Sequence, residues 1–320
     1  METNYNPHEQ ALALHSDRID EETRLVQARL LEILKAIDKV CRTHHLTYYL
    51  LAGTMLGAVR HGGFIPWDDD ADVGMPRQDY DIFLAHANEW LPEGFELVSG
   101  GQTKGYPYPF ARVQDARSTY MMHRSYDFVG GLPIDVFPLD GMIGPSLSRS
   151  YHYFRYRRWW KILYFIHTDP YKHGKGFRCV ATQLLRKLFK AEFVHKKLDD
   201  VRRQWDCKTS PLMADHDYRP DKGAQPRENY GTPVPISFEG TLFMGVARPD
   251  AYLRHLYGNY MEIPKEIPPR NYRFLDLNKP WRQYVEENRR SSESYPSSLE
   301  DGRVATEEGE AKKGKIKSEE

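Results

Sequence analysis

Residues 48–75 read YYLLAGTMLGAVRHGGFIPWDDDADVGM. Four of the five positions from 68 to 72 are aspartate. Carboxylates this close together repel one another and raise each other's pKa, so a fold that gathers them needs a compensating cation. A site that offers only oxygen ligands suits a hard cation. The stretch therefore predicts Mg²⁺ or Mn²⁺ as a cofactor.

The end of this stretch alternates between polar and apolar residues. Asp70 and Asp72 alternate with Ala71 and Val73. A period of two residues is typical of a β-strand, in which alternate side chains point to opposite faces. The pattern predicts that Asp70 and Asp72 share one strand face and together hold the metal.

A glycine-containing turn precedes the aspartates. Residues 48–52 have the composition of a buried strand, and residues 55–60 that of a short helix. Gly53 and Thr54 stand between them. Backbone N–H groups at the start of a helix bind phosphate groups. The turn is therefore predicted to contact a substrate phosphate.

Asp135 is a lone carboxylate in the apolar segment GLPIDVFPLDGM, residues 131–142. A buried carboxylate requires a partner. One interpretation is an ion pair with an arginine such as Arg112. The other is a third metal ligand beside Asp70 and Asp72, which is favoured because one cation then accounts for both acidic features.

The composition of the 320-residue chain narrows the class of protein. Apolar residues make up 40% of it, enough for a substantial core. The 45 basic residues equal the 45 acidic ones, which argues against a nucleic-acid-binding protein. Three widely spaced cysteines indicate a reducing compartment. Without a visible signal peptide or an apolar run of membrane length, the predicted location is cytoplasmic, with peripheral contact at the inner face of the plasma membrane.

The pattern along the chain predicts one catalytic domain. We expect a flexible N-terminus over residues 1–17, a domain over residues 18–285 and a disordered polar tail over residues 286–320. Apolar residues at helical spacing predict a helix over residues 20–43. Residues 206–235, which contain many Pro, Gly and Asp, predict a long loop.

A helical subregion over residues 151–205 permits two interpretations. Its first part, YHYFRYRRWWKILYFIH at residues 151–167, mixes aromatic with basic side chains. This composition is typical of a helix at a membrane surface. A core helix with a solvated edge explains the same pattern.

The order of these features predicts phosphoryl transfer assisted by metal ions. Asp70 and Asp72 would hold the metal, and Asp135 would complete the site and take a proton from an acceptor hydroxyl. Trp67 and Asp68, at the entrance to the cluster, are further candidates for substrate contacts. Candidates for phosphate contacts are the basic residues Arg60, Arg77, Lys104 and Arg112.

Three segments resemble the LicD family, which includes bacterial phosphocholine transferases, fukutin and fukutin-related protein. They are LLAGTMLGAVRHGGFIPWDDDADVGMPRQDY, GLPIDVFPLDGM and LYGNYM. The resemblance implies an α+β fold, with a nucleotidyltransferase-like mixed β-sheet core flanked by helices and a helical insertion. It places the metal-binding acids of the family at Asp70, Asp72 and Asp135.

The resemblance also implies a reaction. A phospho-alcohol group, such as phosphocholine, would pass from a CDP-alcohol donor to a sugar hydroxyl of a glycan of the lipopolysaccharide, capsule or teichoic-acid type. The expected acceptor is lipid-linked. Two departures put the exact substrates in doubt. Asn259 stands where the family usually has Asp, and PPRNYRFLDL, residues 268–277, replaces a frequent histidine pair.

Two alternatives remain at the level of sequence. The same core supports a nucleotidyltransferase that adds a nucleoside monophosphate to a small molecule, because fold does not determine function. A non-catalytic protein that binds glycans or membranes would need a degraded site, whereas Asp70, Asp72 and Asp135 are all present.

Overall fold

The computed structural model describes residues 19–123, 126, 128–171 and 176–293, together with Asn6, Glu9, Gln10 and Ala13. Most of the predicted flexible N-terminus and residues 294–320 of the predicted tail lie outside the described residues. The helices are α1 (Glu21–Thr43), α2 (Ala52–His61), α3 (Arg77–Trp90), α4 (Ser146–His167), α5 (Phe177–Leu188), α6 (Ala191–Arg202), α7 (Pro220–Gly223), α8 (Arg227–Tyr230), α9 (Pro249–Tyr257) and α10 (Trp281–Glu293).

The strands belong mostly to one mixed sheet. They are β1 (Tyr49–Leu50), β2 (Asp72–Pro76), β3 (Phe95–Val98), β4 (Ala111–Met122), β5 (Gly130–Met142), β6 (Leu212–Ala214), β7 (Ala224–Pro226), β8 (Val234–Phe238), β9 (Thr241–Gly245) and β10 (Tyr272–Asp276). The main path runs β1-β2-β5-β4-β10, β3 pairs with β4, and β6 joins β5 to β7. β8 and β9 form a separate hairpin. The predicted mixed sheet flanked by helices is confirmed.

Helix α1 supplies one wall of the core. The Asp20 carboxylate accepts a hydrogen bond from the Thr23 backbone N–H at 2.9 Å and caps the helix. Val26, Leu30 and Ile33 recur at helical spacing and are fully buried. The helix packs against β4 and β5, and its predicted extent over residues 20–43 is confirmed.

Several boundaries differ from the sequence-based predictions. Helix α2 begins at Ala52, so Gly53 and Thr54 lie in its first turn instead of before it. The helical stretch after residue 176 is divided into α5 and α6. Helix α10 extends past residue 286, where the polar tail was predicted to begin.

The predicted loop over residues 206–235 contains ordered elements. Strands β6 and β7 pair with each other, and β6 also pairs with β5. Strand β10, which follows Pro264, Pro268 and Pro269, pairs with β4. Each of these strands has only three to five residues, too few for an alternating pattern to stand out. Pairing with distant strands, not local sequence, determines their structure.

Helix α4 contains the aromatic and basic segment over residues 151–167. Its aromatic face is part of the core, since Tyr153 and Tyr156 are almost completely buried. Tyr156 and Leu163 pack with Val194 and Leu198 of α6. Among the helices of the described residues, none combines the length and the apolar character needed to cross a membrane.

Candidate active site

Three neighbouring strands place an acid–acid–arginine row at the centre of the sheet. β2 and β5 are parallel with Asp72 opposite Asp135, and β5 and β4 are antiparallel with Asp135 opposite Arg112. Residues directly opposite each other on adjacent strands point to the same face. Arg112 Nε donates to Asp135 Oδ1 at 2.6 Å. The ion pair considered in the sequence analysis is therefore present, and Asp72 lies beside it.

The first member of the predicted metal pair, Asp70, lies just outside the strand. β2 begins at Asp72, so Asp70 belongs to the approach to β2 and not to the paired ladder. The two carboxylates nevertheless interact. Desolvation, followed by the negative charges of Asp70 and Asp135, raises the pKa of Asp72 well above its ordinary value. The residues that were predicted to act together are thus electrostatically coupled.

Asp70 is the solvent-facing member of the group. The residue as a whole is exposed, but much of its carboxylate is shielded by protein. This desolvation, followed by the charges of Asp69 and Asp135, raises the pKa of Asp70. Asp70 is therefore the member of the group that is accessible from solvent.

Gly53 permits the close approach of another carboxylate. A β-carbon at Gly53 would lie 3.2 Å from Asp68 Oδ2, which is tighter than an ordinary van der Waals contact. Desolvation and the charges of Asp70 and Asp69 raise the pKa of Asp68, while Arg60 opposes the change. Asp68 therefore interacts electrostatically with the other carboxylates and lies against the first turn of α2. The acidic group consists of Asp68, Asp69, Asp70, Asp72 and Asp135.

Thr54 positions the start of the aspartate strand. Its Oγ1 accepts a hydrogen bond from the Asp72 backbone N–H at 2.8 Å. Ala52, two residues earlier, has a φ of +46°, a left-handed conformation that costs a non-glycine residue about 1–2 kcal/mol. The Ala52 N–H donates to the Tyr252 hydroxyl at 3.1 Å. Such strain is often concentrated at functional sites, and here it lies where the phosphate contact was predicted.

Asn271 connects the acidic group to the C-terminal part of the domain. Its Nδ2 donates to Asp69 Oδ1 at 2.8 Å and to Asp70 Oδ2 at 2.9 Å, and its backbone N–H donates to Asp69 Oδ2 at 3.0 Å. Asn271 lies in the segment that departs from the usual histidine pair. Sequence analysis noted the departure but did not identify this residue, because its partners are about 200 positions away.

Removal of the Asn271 amide should impair the site without unfolding the domain. Residues that orient metal ligands typically contribute 10–100-fold to metal affinity or activity, so we expect Asn271→Ala to lower activity by roughly that factor. The control is Asn288→Ala, because Asn288 is exposed on α10 and its Nδ2 donates to the Tyr284 carbonyl oxygen at 2.8 Å. Transfer rates of both purified variants measure the difference. Equal rates would show that the Asn271 contacts have no functional role.

Asp215 is a buried acid that the sequence analysis did not identify. Desolvation and the charge of Asp217 raise the pKa of Asp215 to about 8. Its charge is also among those that raise the pKa of Asp72. It follows β6, which pairs with β5, so the short strand brings it toward the acidic group. Its position in a predicted loop offered no periodic signal.

The remaining basic candidates have mainly structural contacts. Two nitrogens of the Arg77 guanidinium donate to Asp140, Nε to Oδ1 at 2.6 Å and Nη2 to Oδ2 at 2.7 Å. Arg60 Nη1 donates to the carbonyl oxygens of Tyr260 and Glu262. Trp67 is buried in the core, and Lys104 is exposed. Arg112 is the predicted arginine that lies in the row with Asp72 and Asp135.

An aromatic cavity adjoins this row. Its volume is about 540 Å³. The Arg112 guanidinium carbon lies 3.8 Å from the ring centre of Tyr108, and so the same arginine contacts Asp135 and the cavity wall. The wall includes Tyr108, Phe110, Tyr126, Tyr156, Trp160 and Tyr164, with Arg157, Lys161 and Asp217 among its charged residues. Aromatic faces with adjacent charges suit an amphipathic or cationic organic group.

The chemistry of the acidic group fits a hard divalent cation. Within the described ranges, no three Asp, Glu, His or Cys side chains already converge as a metal-binding group. Asp135 is directed toward Arg112, and Asp70 toward Asn271. However, desolvation, followed by repulsion from neighbouring carboxylates, raises the pKa values of Asp68, Asp70 and Asp72. A divalent cation relieves this repulsion, and carboxylate oxygens are its preferred ligands.

Comparison with known proteins agrees with the resemblance seen in the motifs. Residues 45–158 match the family model described as LicD/FKTN/FKRP, nucleotidyltransferase domain. The chain is 27% identical over 248 residues to the lipopolysaccharide cholinephosphotransferase LicD of Haemophilus influenzae, covering 74% of this chain and 90% of that protein.

Two further matches cover shorter parts of the chain. Mouse ribitol-5-phosphate transferase FKTN is 33% identical over 90 residues, which are 27% of this chain and 20% of that protein. The uncharacterized protein RT0683 of Rickettsia typhi is 39% identical over 123 residues, or 38% of this chain and 37% of that protein. The matched family region contains the aspartate stretch, Arg112 and Asp135.

Proposed function

Because residues 45–158 match the family model described as LicD/FKTN/FKRP, nucleotidyltransferase domain, we propose that the protein transfers a phospho-alcohol group from a CDP-activated donor to a sugar hydroxyl of a cell-surface glycan. It is a transferase of phosphorus-containing groups. The observation that carries the proposal is the row of Asp72, Asp135 and Arg112 beside an aromatic cavity. Phosphocholine is the first donor group to test, because the relative matched over 90% of its own length is a cholinephosphotransferase.

The acidic group would hold the cofactor. Asp70 and Asp72 would be its ligands, and Asp135, which lies opposite Asp72, would complete the set. When bound, Mg²⁺ or Mn²⁺ neutralises charge on the donor phosphates. Asp68 contributes negative charge beside the first turn of α2, while Asn271 orients Asp69 and Asp70.

The chain's own residues position the two substrates. The N–H groups at the start of α2, near Gly53 and Thr54, would provide a phosphate contact, since Gly53 lies beside Asp68 and Thr54 contacts Asp72. Arg112 supplies a fixed positive charge for the donor. Asp135, oriented by Arg112, accepts the proton of the attacking sugar hydroxyl.

The aromatic cavity would receive the organic end of the donor or the acceptor sugar. Both groups present apolar C–H surface together with polar or charged atoms, which suits aromatic walls with charges at the edge. The acceptor is proposed to be a lipid-linked glycan, of the lipopolysaccharide, capsule or teichoic-acid type. The protein would act in the cytoplasm, at the inner face of the plasma membrane.

The mass of the product tests this proposal. Purified protein is incubated with Mg²⁺, a glycan acceptor and, separately, CDP-choline, CDP-ethanolamine, CDP-glycerol or CDP-ribitol. We expect one donor to increase the acceptor mass by the phospho-alcohol and to release CMP. A chelator should abolish the product, and excess Mg²⁺ should restore it. A gain of the nucleotide by the acceptor would instead identify a nucleotidyltransferase. No product with any donor, from folded protein, would contradict the proposal.

A further inference from the structure

Helix α5 carries an exposed apolar stripe. Phe177, Val180, Leu184 and Leu188 are 87%, 61%, 53% and 64% exposed. They occupy positions i, i+3, i+7 and i+11, which place them along one face of a helix. Scattered surface apolar residues are ordinary, but a continuous exposed stripe of this kind marks an interaction surface.

Packing on the opposite side determines the outward direction of the stripe. Cys179 and Thr182 are buried. The Arg186 guanidinium donates to the carbonyl oxygens of Ile166 at 2.9 Å and Thr168 at 2.7 Å, tying α5 to the C-terminal end of α4. The helix therefore has an inner face with partners and an outer face that is both apolar and solvent-exposed.

The charge of the surrounding chain is strongly positive. Residues 146–190 contain eleven Lys or Arg and one acidic residue, Asp169, although basic and acidic residues are equal in number over the whole chain. Arg178, Lys187 and Lys190 are exposed on or next to α5. Local positive charge beside an apolar stripe is complementary to a surface that is negatively charged outside and apolar within.

We propose that α5 docks on an anionic phospholipid membrane, with its apolar stripe in the boundary between headgroups and acyl chains. The flanking lysines and arginines contact lipid phosphates. The aromatic face of α4 has a different role, because it packs in the core against α6. A nucleic acid would use the positive charges, but it would leave the outward-facing Phe177, Val180, Leu184 and Leu188 unexplained.

Vesicle flotation of the full chain tests the proposal and needs no enzymatic substrate. Wild type should float with vesicles of phosphatidylcholine mixed with phosphatidylglycerol, and much less with phosphatidylcholine alone. Val180→Glu/Leu184→Glu should weaken binding by about tenfold or more, since burial of one such side chain contributes roughly a factor of ten. The matched control is Leu242→Glu, because Leu242 is 60% exposed on β9, and it should bind like wild type.

A second variant separates the electrostatic contribution. Lys187→Glu/Lys190→Glu should lose binding to the anionic vesicles and remove much of its salt dependence. Melting temperatures near that of wild type verify that each variant is folded. The proposal is overturned if wild type does not float with anionic vesicles, or if Val180→Glu/Leu184→Glu floats equally well. Binding of single-stranded RNA that is lost in the lysine variant but retained in Val180→Glu/Leu184→Glu would assign the surface to nucleic acid instead. Each outcome is independent of whether the transfer reaction is correct.

Discussion

Asp72→Asn is expected to abolish transfer while stabilising the metal-free protein. Asparagine keeps the shape of the side chain and retains the backbone N–H bond to Thr54, but it removes a negative charge. Loss of one ligand charge at the site of phosphoryl transfer should lower the rate by at least about 10³-fold. The same change removes repulsion with Asp70 and Asp135. We expect a gain on the order of 1 kcal/mol in the free energy of unfolding.

The two opposite effects distinguish a functional charge from a structural one. Transfer is measured with Mg²⁺ present, and the melting temperature is measured in a chelator, where an increase of roughly 2–4 °C is expected. The control is Asp200→Asn, because Asp200 is exposed on α6 and pairs with Lys197, so neither quantity should change. Undiminished transfer by Asp72→Asn would remove this residue from the site. A large decrease in melting temperature would show that Asp72 has a structural partner.

Arg77→Met is expected to destabilise the domain by about 3–5 kcal/mol, because it leaves a charged partner buried. Burial alone raises the pKa of Asp140, but the Arg77 charge and hydrogen bonds outweigh it and the net pKa is lowered. Asp140 is 1% exposed and Arg77 is 7% exposed. Methionine fills similar volume, so the expected loss arises mainly from the uncompensated carboxylate.

The pH dependence of this effect has a definite sign. Since the folded-state pKa of Asp140 is lowered from the ordinary value of 3.8, its contribution to stability is present above that pH and is lost as the pH falls below it. The difference between wild type and Arg77→Met should therefore be largest near neutral pH and shrink toward pH values below about 4.

Urea denaturation at several pH values measures this difference. The control is Arg254→Met, because Arg254 and Asp250 form an exposed i,i+4 pair, and such pairs contribute little to stability. If Arg77→Met unfolds like wild type but has weaker donor affinity, then Arg77 contacts the substrate as the sequence first predicted. In that case the buried pair with Asp140 would not be its main role.

The parts of the fold that could be predicted are those with a local signal. The apolar positions of α1 recur at helical spacing, and Asp135 interrupts an apolar strand. Both features are therefore visible in the local sequence. The pairing of Asp72 with Asp135 could also be predicted from the sequence, because polar and apolar residues alternate around Asp72 as they do in a strand. The structure adds their register, with the two acids directly opposite each other on β2 and β5.

The parts that could not be predicted depend on contacts between distant residues. Asn271 reaches Asp69 from 202 positions away, and Asp215 is brought in by the three-residue strand β6. Arg77 resembled a phosphate contact because its partner, Asp140, lies 63 positions later. No periodic or local sequence pattern indicates such pairings. Each of them is seen only when the sheet is folded.

The two amphipathic helices illustrate the same limit. The aromatic face of α4 suggested a membrane surface, but packing against α6 places Tyr156 and Leu163 in the interior. The stripe of α5 has fewer aromatic residues, and its apolar positions are interspersed with Lys and Arg, so its composition alone does not indicate a membrane surface. Composition identifies an amphipathic helix, whereas only packing determines which of its faces remains exposed.

Calorimetric titration with Mn²⁺ tests the central claim, that the acidic group is a divalent-cation site, most directly. Wild type is predicted to bind Mn²⁺ with measurable heat, and Asp72→Asn to lose most of that binding while remaining folded. Asp200→Asn should bind like wild type. Equal Mn²⁺ binding by wild type and Asp72→Asn, or no binding by folded wild type with or without the CDP-alcohol donor, would contradict the account.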